Sequence, residues 1–322
     1  MAIRVGFVGL GGMMSVHLRH LSEMKDVKLV AFCDVKKNVA NAVAKGYGGK
    51  AYSDCTDMYK NERLDAVYVA VPPNAHGKPE LLALKRGIHL FIEKPIAVDR
   101  DRAVEVAKAV SSSRCIVSVG YQWRYLDIVQ RARRVPAGKK PSLVLGWWLG
   151  GAPGVGWWKR KDISGGQVVE QTTHIFDLAR YLCGEVSSVH AAASVGLMKE
   201  RKDFTVDDSS SVTLLFENGA IGNISSTCVH GGFSKIGLLC VCKDLSFECT
   251  GNRLRVTDMQ CTHEYERRSD PYLAENEAFI TAVANDSPVG ILSPYEDALK
   301  THLLTMAANE AMREDVSRAV SV

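Results

Sequence analysis

Apolar residues in the first third of the chain come in short unbroken runs: IRVGFVG (3–9), VKLVAFCD (27–34), DAVYVAVP (65–72), IHLFIEKP (88–95) and CIVSVGYQ (115–122). Runs this short that do not alternate fit strands buried on both faces, and the helix-periodic polar stretches between them fit covering helices. Residues 1–122 are thus predicted to form a doubly wound parallel sheet. Beyond that point the rhythm changes. SLVLGWWLG (142–150), SSVHAAASVGL (187–197), SSVTLLFENGAIGNISSTCVH (210–230) and FSKIGLLCVCKDLSFECTG (233–251) are longer and lack regular crossovers. AsnGly at 218–219 divides the third of these as a hairpin turn does. Residues 123–322 therefore read as a C-terminal α+β domain with an open, mostly antiparallel sheet. A closing helix is announced by Ser293 as N-cap, Pro294 in the first turn and Glu296 as capping-box acid.

One segment combines a helical apolar stripe with ionisable groups. In VVEQTTHIFD (168–177), Val168, Val169, Ile175 and Phe176 recur at helical spacing, and offsets of four and three stack Glu170, His174 and Asp177 on one face. Such a face is either functional or solvated. Glu170 and His174 also resemble a pair of metal ligands, but no third donor is placed nearby, so no metal is expected.

Composition narrows the field. With 322 residues, 46% hydrophobic and 24% charged, the chain is globular and long enough for two cores, which excludes a disordered or fibrous protein. The net charge of +4 is small. The basic run Arg131, Arg133, Arg134, Lys139 and Lys140 brackets a ProAlaGly turn (136–138) without interleaved aromatics. It reads as a solvated helix end and linker, and nucleic acid is not an expected partner. Nine scattered cysteines without a CxxC pair suit reduced thiols in a cytoplasmic protein. No apolar stretch approaches the roughly 18 residues of a membrane span, so neither export nor a membrane partner is expected.

The first apolar run ends in Gly9, Leu10, Gly11, Gly12, then Met13 and Met14. A strand turning through glycines into a helix lets backbone N–H groups approach a pyrophosphate. Met14 stands where a third glycine of that pattern would be, which should loosen or shift the packing of the following helix. Asp34 closes the second run, 25 residues after Gly9, where a carboxylate accepts ribose hydroxyls and repels a 2′-phosphate. NAD is therefore the expected cofactor, with Lys36 and Lys37 leaving NADP open. Three further stretches close later runs: ProProAsnAlaHis (72–76), GluLysPro (93–95) and GlyTyrGlnTrpArg (120–124). All fall at the carboxyl edge, where an open α/β sheet holds its ligand. Pro72, Asn74, His76, Glu93 and Lys94 are thus candidate cofactor contacts.

Taken together with His17 and the GlyGly…Glu170…His174…Asp177 segment, these motifs resemble the glucose-fructose oxidoreductase, inositol dehydrogenase and MocA family across both halves of the chain. The resemblance implies a Rossmann domain and a second domain whose open sheet makes homodimer or homotetramer contacts. It also implies reversible hydride transfer between a nicotinamide and a secondary hydroxyl of a sugar, sugar derivative or cyclitol. Lys94 falls on the family's active-site lysine and His174 on its catalytic histidine. Glu170 stands where many members have aspartate, Asp177 on the acid three residues past the histidine, and Tyr121 and Arg124 on pocket positions.

The chemistry is consistent with that assignment. Histidine, whose ordinary pKa lies near neutrality, can take the hydroxyl proton, while a lysine ammonium opposes the developing alkoxide. Glu170 would bind a neighbouring hydroxyl or orient the imidazole, and Asp177 would contact substrate or fix the helix. Trp157 and Trp158 are candidates to stack on a sugar ring. Two alternatives use the same residues: an NAD-dependent redox-neutral glycosidase, and an NAD-binding regulator that has lost catalysis.

Overall fold

The computed structural model describes residues 2–135, 138–314 and 318–320, so Pro136 and Ala137 of the expected turn lie outside the described residues. The chain divides into two compact units. One comprises the residues through Ala97, Asp101–Gln122 and Asp270–Leu299; the other comprises Val98–Arg100, Trp123–Ser269 and the residues from Lys300 onward. A single cut after residue 122 does not provide for Asp270–Leu299. That segment belongs to the first unit because Phe279, Ile280 and Ala282 pack into the same core as Val5, Phe7, Tyr68 and Phe91.

In the first unit, β1 (Ile3–Val8), β2 (Val27–Cys33), β3 (Lys50–Tyr52), β4 (Ala66–Val69), β5 (His89–Ile92) and β6 (Val117–Val119) form one sheet. Every pairing is parallel, in the order β3-β2-β1-β4-β5-β6, so the strand order reverses between β1 and β4. That reversal is where doubly wound sheets hold their ligands. The helices are α1 (Gly12–Glu23), α2 (Lys37–Tyr47), α3 (Cys55–Asn61), α4 (Lys78–Leu84) and α5 (Arg100–Ser111). β3 escapes the hydrophobic pattern because it is three residues long and only partly buried.

The second unit begins with α6 (Asp127–Ala132) and β7 (Pro141–Leu149), followed by α7 (Lys161–Ser164), α8 (Gln167–Glu170) and α9 (Thr173–Cys183). Next come β8 (Val186–Ser194), β9 (Ser209–Phe216), β10 (Ile221–Thr227), β11 (Lys235–Cys242), β12 (Leu245–Thr250), β13 (Arg253–Asp258) and β14 (Thr262–Glu266). α10 (Pro271–Ala284) lies in the first unit, and α11 (Tyr295–Glu314) runs on into the second, followed by β15 (Arg318–Ala319). The nine-stranded sheet has the order β14-β13-β12-β11-β7-β10-β9-β8-β15 and is antiparallel except where β7 meets β10. AsnGly joins β9 to β10, with Gly219 at φ +84°. One sheet face packs on α9, where Val144, Ile224, Leu238 and Cys240 meet Ile175, Phe176 and Leu178 in the core.

Two local expectations are corrected. VVEQTTHIFD is two helices, because the Thr172 N–H bonds to the Gln167 carbonyl five residues back and the straight ladder ends there. Ser293 does not cap the last helix: its Oγ is buried with no hydrogen-bond partner among the described residues, and its carbonyl accepts from the Val119 N–H.

Candidate active site

In the first unit the expected cofactor residues gather at the carboxyl ends of β1, β2, β4 and β5. Gly9 stands at φ +80°, and a Cβ there would lie 2.3 Å from the Ala70 carbonyl oxygen, so glycine alone fits this crossing. Gly11 is the N-cap of α1 and Gly12 its first residue, and a Cβ on either would meet nothing within 4 Å. Open space beside the uncapped first turn of a helix is what a pyrophosphate requires, and the residues present fit NAD. Met13 is 37% exposed at this turn, whereas Met14 is wholly buried in the core and takes the third glycine's place by packing inward.

Asp34 braces the turn. Its Oδ2 accepts the Leu10 N–H at 2.9 Å and its Oδ1 the Lys36 N–H at 2.8 Å. Each carboxylate oxygen has two acceptor positions, so both can still receive ribose hydroxyls. After β4, Pro72 precedes a short 3₁₀ turn in which Asn74 is exposed. His76 is buried, with Nδ1 2.6 Å from Glu80 Oε1, while Glu80 Oε2 accepts the Gly77 N–H at 2.6 Å. After β5, Glu93 turns inward. Its Oε1 lies 2.8 Å from His17 Nε2, and its Oε2 accepts the Lys94 N–H at 3.2 Å. Lys94 itself is half-buried, and Tyr121 is buried. His17, Glu93 and Glu275 each bring a donor atom within 4.8 Å of the others, a grouping invisible to sequence spacing because its members are scattered along the chain.

In the second unit His174 lies in the first turn of α9 and is 3% exposed. Its ring stacks near-parallel to two indoles, Trp148 at 5.8 Å and 20° and Trp123 at 6.5 Å and 22°. Sequence reasoning did not pick these two as site residues. A signal exists for one: Val144, Gly146 and Trp148 alternate on the same face of β7. Glu170 closes α8 and accepts the Trp158 indole N–H at 2.7 Å. Trp158 is wholly buried against Val206 and Cys228, so its faces are not open to a sugar, whereas Trp157 is partly exposed. Arg124 and Asp177 are joined to each other. Arg124 Nε donates to Asp177 Oδ2 at 2.8 Å and Nη2 to Oδ1 at 2.6 Å, and Thr301 Oγ1 adds a third bond at 2.9 Å.

Comparison with known proteins matches both units. Residues 3–121 match the family model described as oxidoreductase family, NAD-binding Rossmann fold, and residues 142–256 match the GFO/IDH/MocA C-terminal domain. The chain is 28% identical to a myo-inositol 2-dehydrogenase of Thermotoga maritima, over 97% of each chain. It is 31% identical to an inositol 2-dehydrogenase of Rhizobium meliloti, over 70% of this chain and 69% of the relative. A levoglucosan dehydrogenase solved with NADH and levoglucosan superposes over 100% of both chains with a TM-score of 0.91 at 20% identity, a likeness of fold.

Proposed function

The chain belongs to the GFO/IDH/MocA oxidoreductase family, with an NAD-binding Rossmann fold, and from that premise we propose that it oxidises a secondary hydroxyl of a cyclitol or sugar, reversibly. The observation that carries this reading is His174, on the family's catalytic position, buried at the start of α9 with its imidazole stacked near-parallel to Trp123 and Trp148. Bound NAD supplies the hydride acceptor, seated by Gly9, Gly11, Gly12 and Asp34, which favours NAD over its 2′-phosphorylated form. His174 takes the hydroxyl proton, and its near-parallel packing with the two indoles and its burial limit the ring's tilt and its access to water. The Lys94 ammonium opposes the charge that develops on the substrate oxygen. Glu170, aimed by the Trp158 N–H, contacts a neighbouring hydroxyl, and Trp157 is the better aromatic surface for the ring. Asp177 and Arg124 act through α9 rather than on the substrate.

The curated relatives' names, inositol 2-dehydrogenases among them, support a cyclitol first and a sugar second. Self-association is proposed through the open sheet face. There Leu143, Leu145 and Trp147 of β7 stand beside Ile221, Leu239 and Val241, half-buried or exposed and mostly apolar. All nine cysteines are free thiols, which supports a reducing compartment such as the cytoplasm.

The test is NADH absorbance with purified protein, NAD and a panel of inositols, aldoses and glycosides, repeated with Lys94→Ala and His174→Ala. Net NADH with one substrate class, lost by about 100-fold or more in each variant while NADH still binds, supports the reading. Glycoside cleavage without net NADH moves the assignment to the redox-neutral alternative, and near-normal turnover in either variant overturns that residue's role.

A further inference from the structure

We infer that Glu93 and His17 are positioning residues for Lys94: a buried hydrogen-bonded clamp ties the lysine's main chain to the helix that seats the cofactor. The inference rests on Lys94 being catalytic, as proposed above.

Glu93 was expected to touch the cofactor, but it is 4% exposed and both its oxygens are engaged inside the protein. Oε1 meets His17 Nε2 at 2.8 Å and Oε2 accepts the Lys94 N–H at 3.2 Å. A carboxylate bonded to the amide of the next residue fixes its own rotamer and the direction in which that residue's chain leaves. The pocket it fills is shaped by Gly120, where a Cβ would lie 2.9 Å from the Glu93 carboxylate carbon and both its oxygens.

His17 is held as firmly. It is wholly buried, its Nδ1 lies 2.9 Å from Asn276 Oδ1, and its ring packs edge-on to Phe91 at 4.9 Å and against Tyr68 at 5.3 Å. An imidazole bonded at both nitrogens and packed against two aromatic rings has one orientation available. His17 lies on α1, whose first turn carries Gly12, so one rigid helix sets both the pyrophosphate seat and the clamp on Lys94. Glu275, on α10, completes the wall of the cluster. It is wholly buried, and both its oxygens have no hydrogen-bond partner among the described residues. Burial first, then the nearby Glu93 charge, push its carboxyl pKa well above the usual carboxylate range, which disfavours a second negative charge beside the His17–Glu93 pair.

The three motifs GxG…His17, Glu93-Lys94-Pro95 and Gly120-Tyr121 thereby become parts of one device. Glu93→Gln keeps the size but leaves one side-chain acceptor where the carboxylate has two, so His17 Nε2 and the Lys94 N–H can no longer both be met by a side-chain oxygen.

Two measurements on the full-length protein test the clamp. Hydrogen–deuterium exchange reads the Lys94 amide directly and needs no substrate. We expect exchange at least about tenfold faster in Glu93→Gln and His17→Asn, with NADH affinity within about threefold of wild type. Unchanged exchange overturns the clamp even if the enzyme is fully active. With the cyclitol that wild type oxidises, kcat should fall about 10- to 100-fold with KM little changed. Glu93→Gln added to Lys94→Ala should cost nothing further, because the glutamate acts through the lysine. A full additional loss in the double variant means general damage and refutes positioning. Absence of any dehydrogenase activity in wild type sinks the functional reading but leaves the exchange result to decide the clamp. A stoichiometric divalent ion found by elemental analysis, and lost in Glu275→Gln, shows a metal holding the cluster and also overturns the inference.

Discussion

Asp177→Ala separates a substrate ligand from a structural counter-ion. In the wild-type protein Asp177 is 1% exposed and Arg124 3%, and two charge-assisted bonds of 2.6 and 2.8 Å join them. Thr301 Oγ1, which donates to Asp177 Oδ1, also accepts from Arg180 Nη1 at 2.6 Å, tying α9 to α11. Removing one partner of a buried pair strands the other charge in a poorly solvated site, at about 3–5 kcal/mol. For a unit of this size each kcal/mol lowers the thermal midpoint by about 2–4 °C, so a fall of about 10 °C is expected. Arg124→Met combined with Asp177→Leu removes both charges and should recover most of that loss. Scanning calorimetry of the full chain, with NADH affinity as a control for the first unit, gives the answer. A shift below about 2 °C in Asp177→Ala, accompanied by a large rise in KM for the polyol, would show that the carboxylate serves the substrate.

Gly9→Ala forces a Cβ onto the Ala70 carbonyl at φ +80°, and NADH affinity should fall at least about tenfold in a fluorescence titration; wild-type affinity would mean the turn has slack. Trp158→Phe keeps an aromatic, though smaller, side chain but removes the N–H that Glu170 accepts, so KM for substrate should rise several-fold with NADH affinity unchanged; an unaltered KM denies Glu170 a substrate role. Alkali should destabilise the fold. Burial pushes the Cys33 thiol up to about 12, Cys228 to about 11 and Cys249 to about 12. Above about pH 8.5 the unfolded chain releases these protons while the folded one keeps them. The native state then binds more protons, and stability falls with rising pH until the folded thiols ionise, by up to about 1.4 kcal/mol per pH unit for each. Thermal midpoints measured from about pH 8 to 10 should decline, less so in Cys249→Val; a flat profile contradicts the assignment.

The strands were legible where burial on both faces left an unbroken apolar run, as in β1 and β2. They were not legible where exposure blurred the pattern: β13 and β14 carry Arg253, Arg255, Glu264 and Glu266 on a solvated edge, and neither was foreseen. Local chemistry was readable as well, since glycines at a strand end and a hairpin AsnGly act through their own backbone. Partnerships across the chain were not. Nothing in the spacing of Arg124 and Asp177 shows that each neutralises the other, and nothing near Trp158 shows that its indole is buried beneath Glu170. The break between α8 and α9 was equally hidden, because the apolar stripe continues through it.

The return of α10 to the first unit constrains how that unit is made. Phe279 is wholly buried beside Tyr68 and Phe91, at ring separations of 5.5 and 5.7 Å, and Asn276 supplies the bond to His17 Nδ1. These groups are translated about 150 residues after Gln122, which at roughly 5–20 residues per second is a wait of about 8–30 s. Throughout that interval the emerging parallel sheet has a complete set of strands but an aromatic face that α1 covers only in part, without Phe279, Ile280 and Ala282. The nascent N-terminal segment is therefore a natural client for a holdase, and a ribosome pause before residue 270 prolongs its most aggregation-prone state.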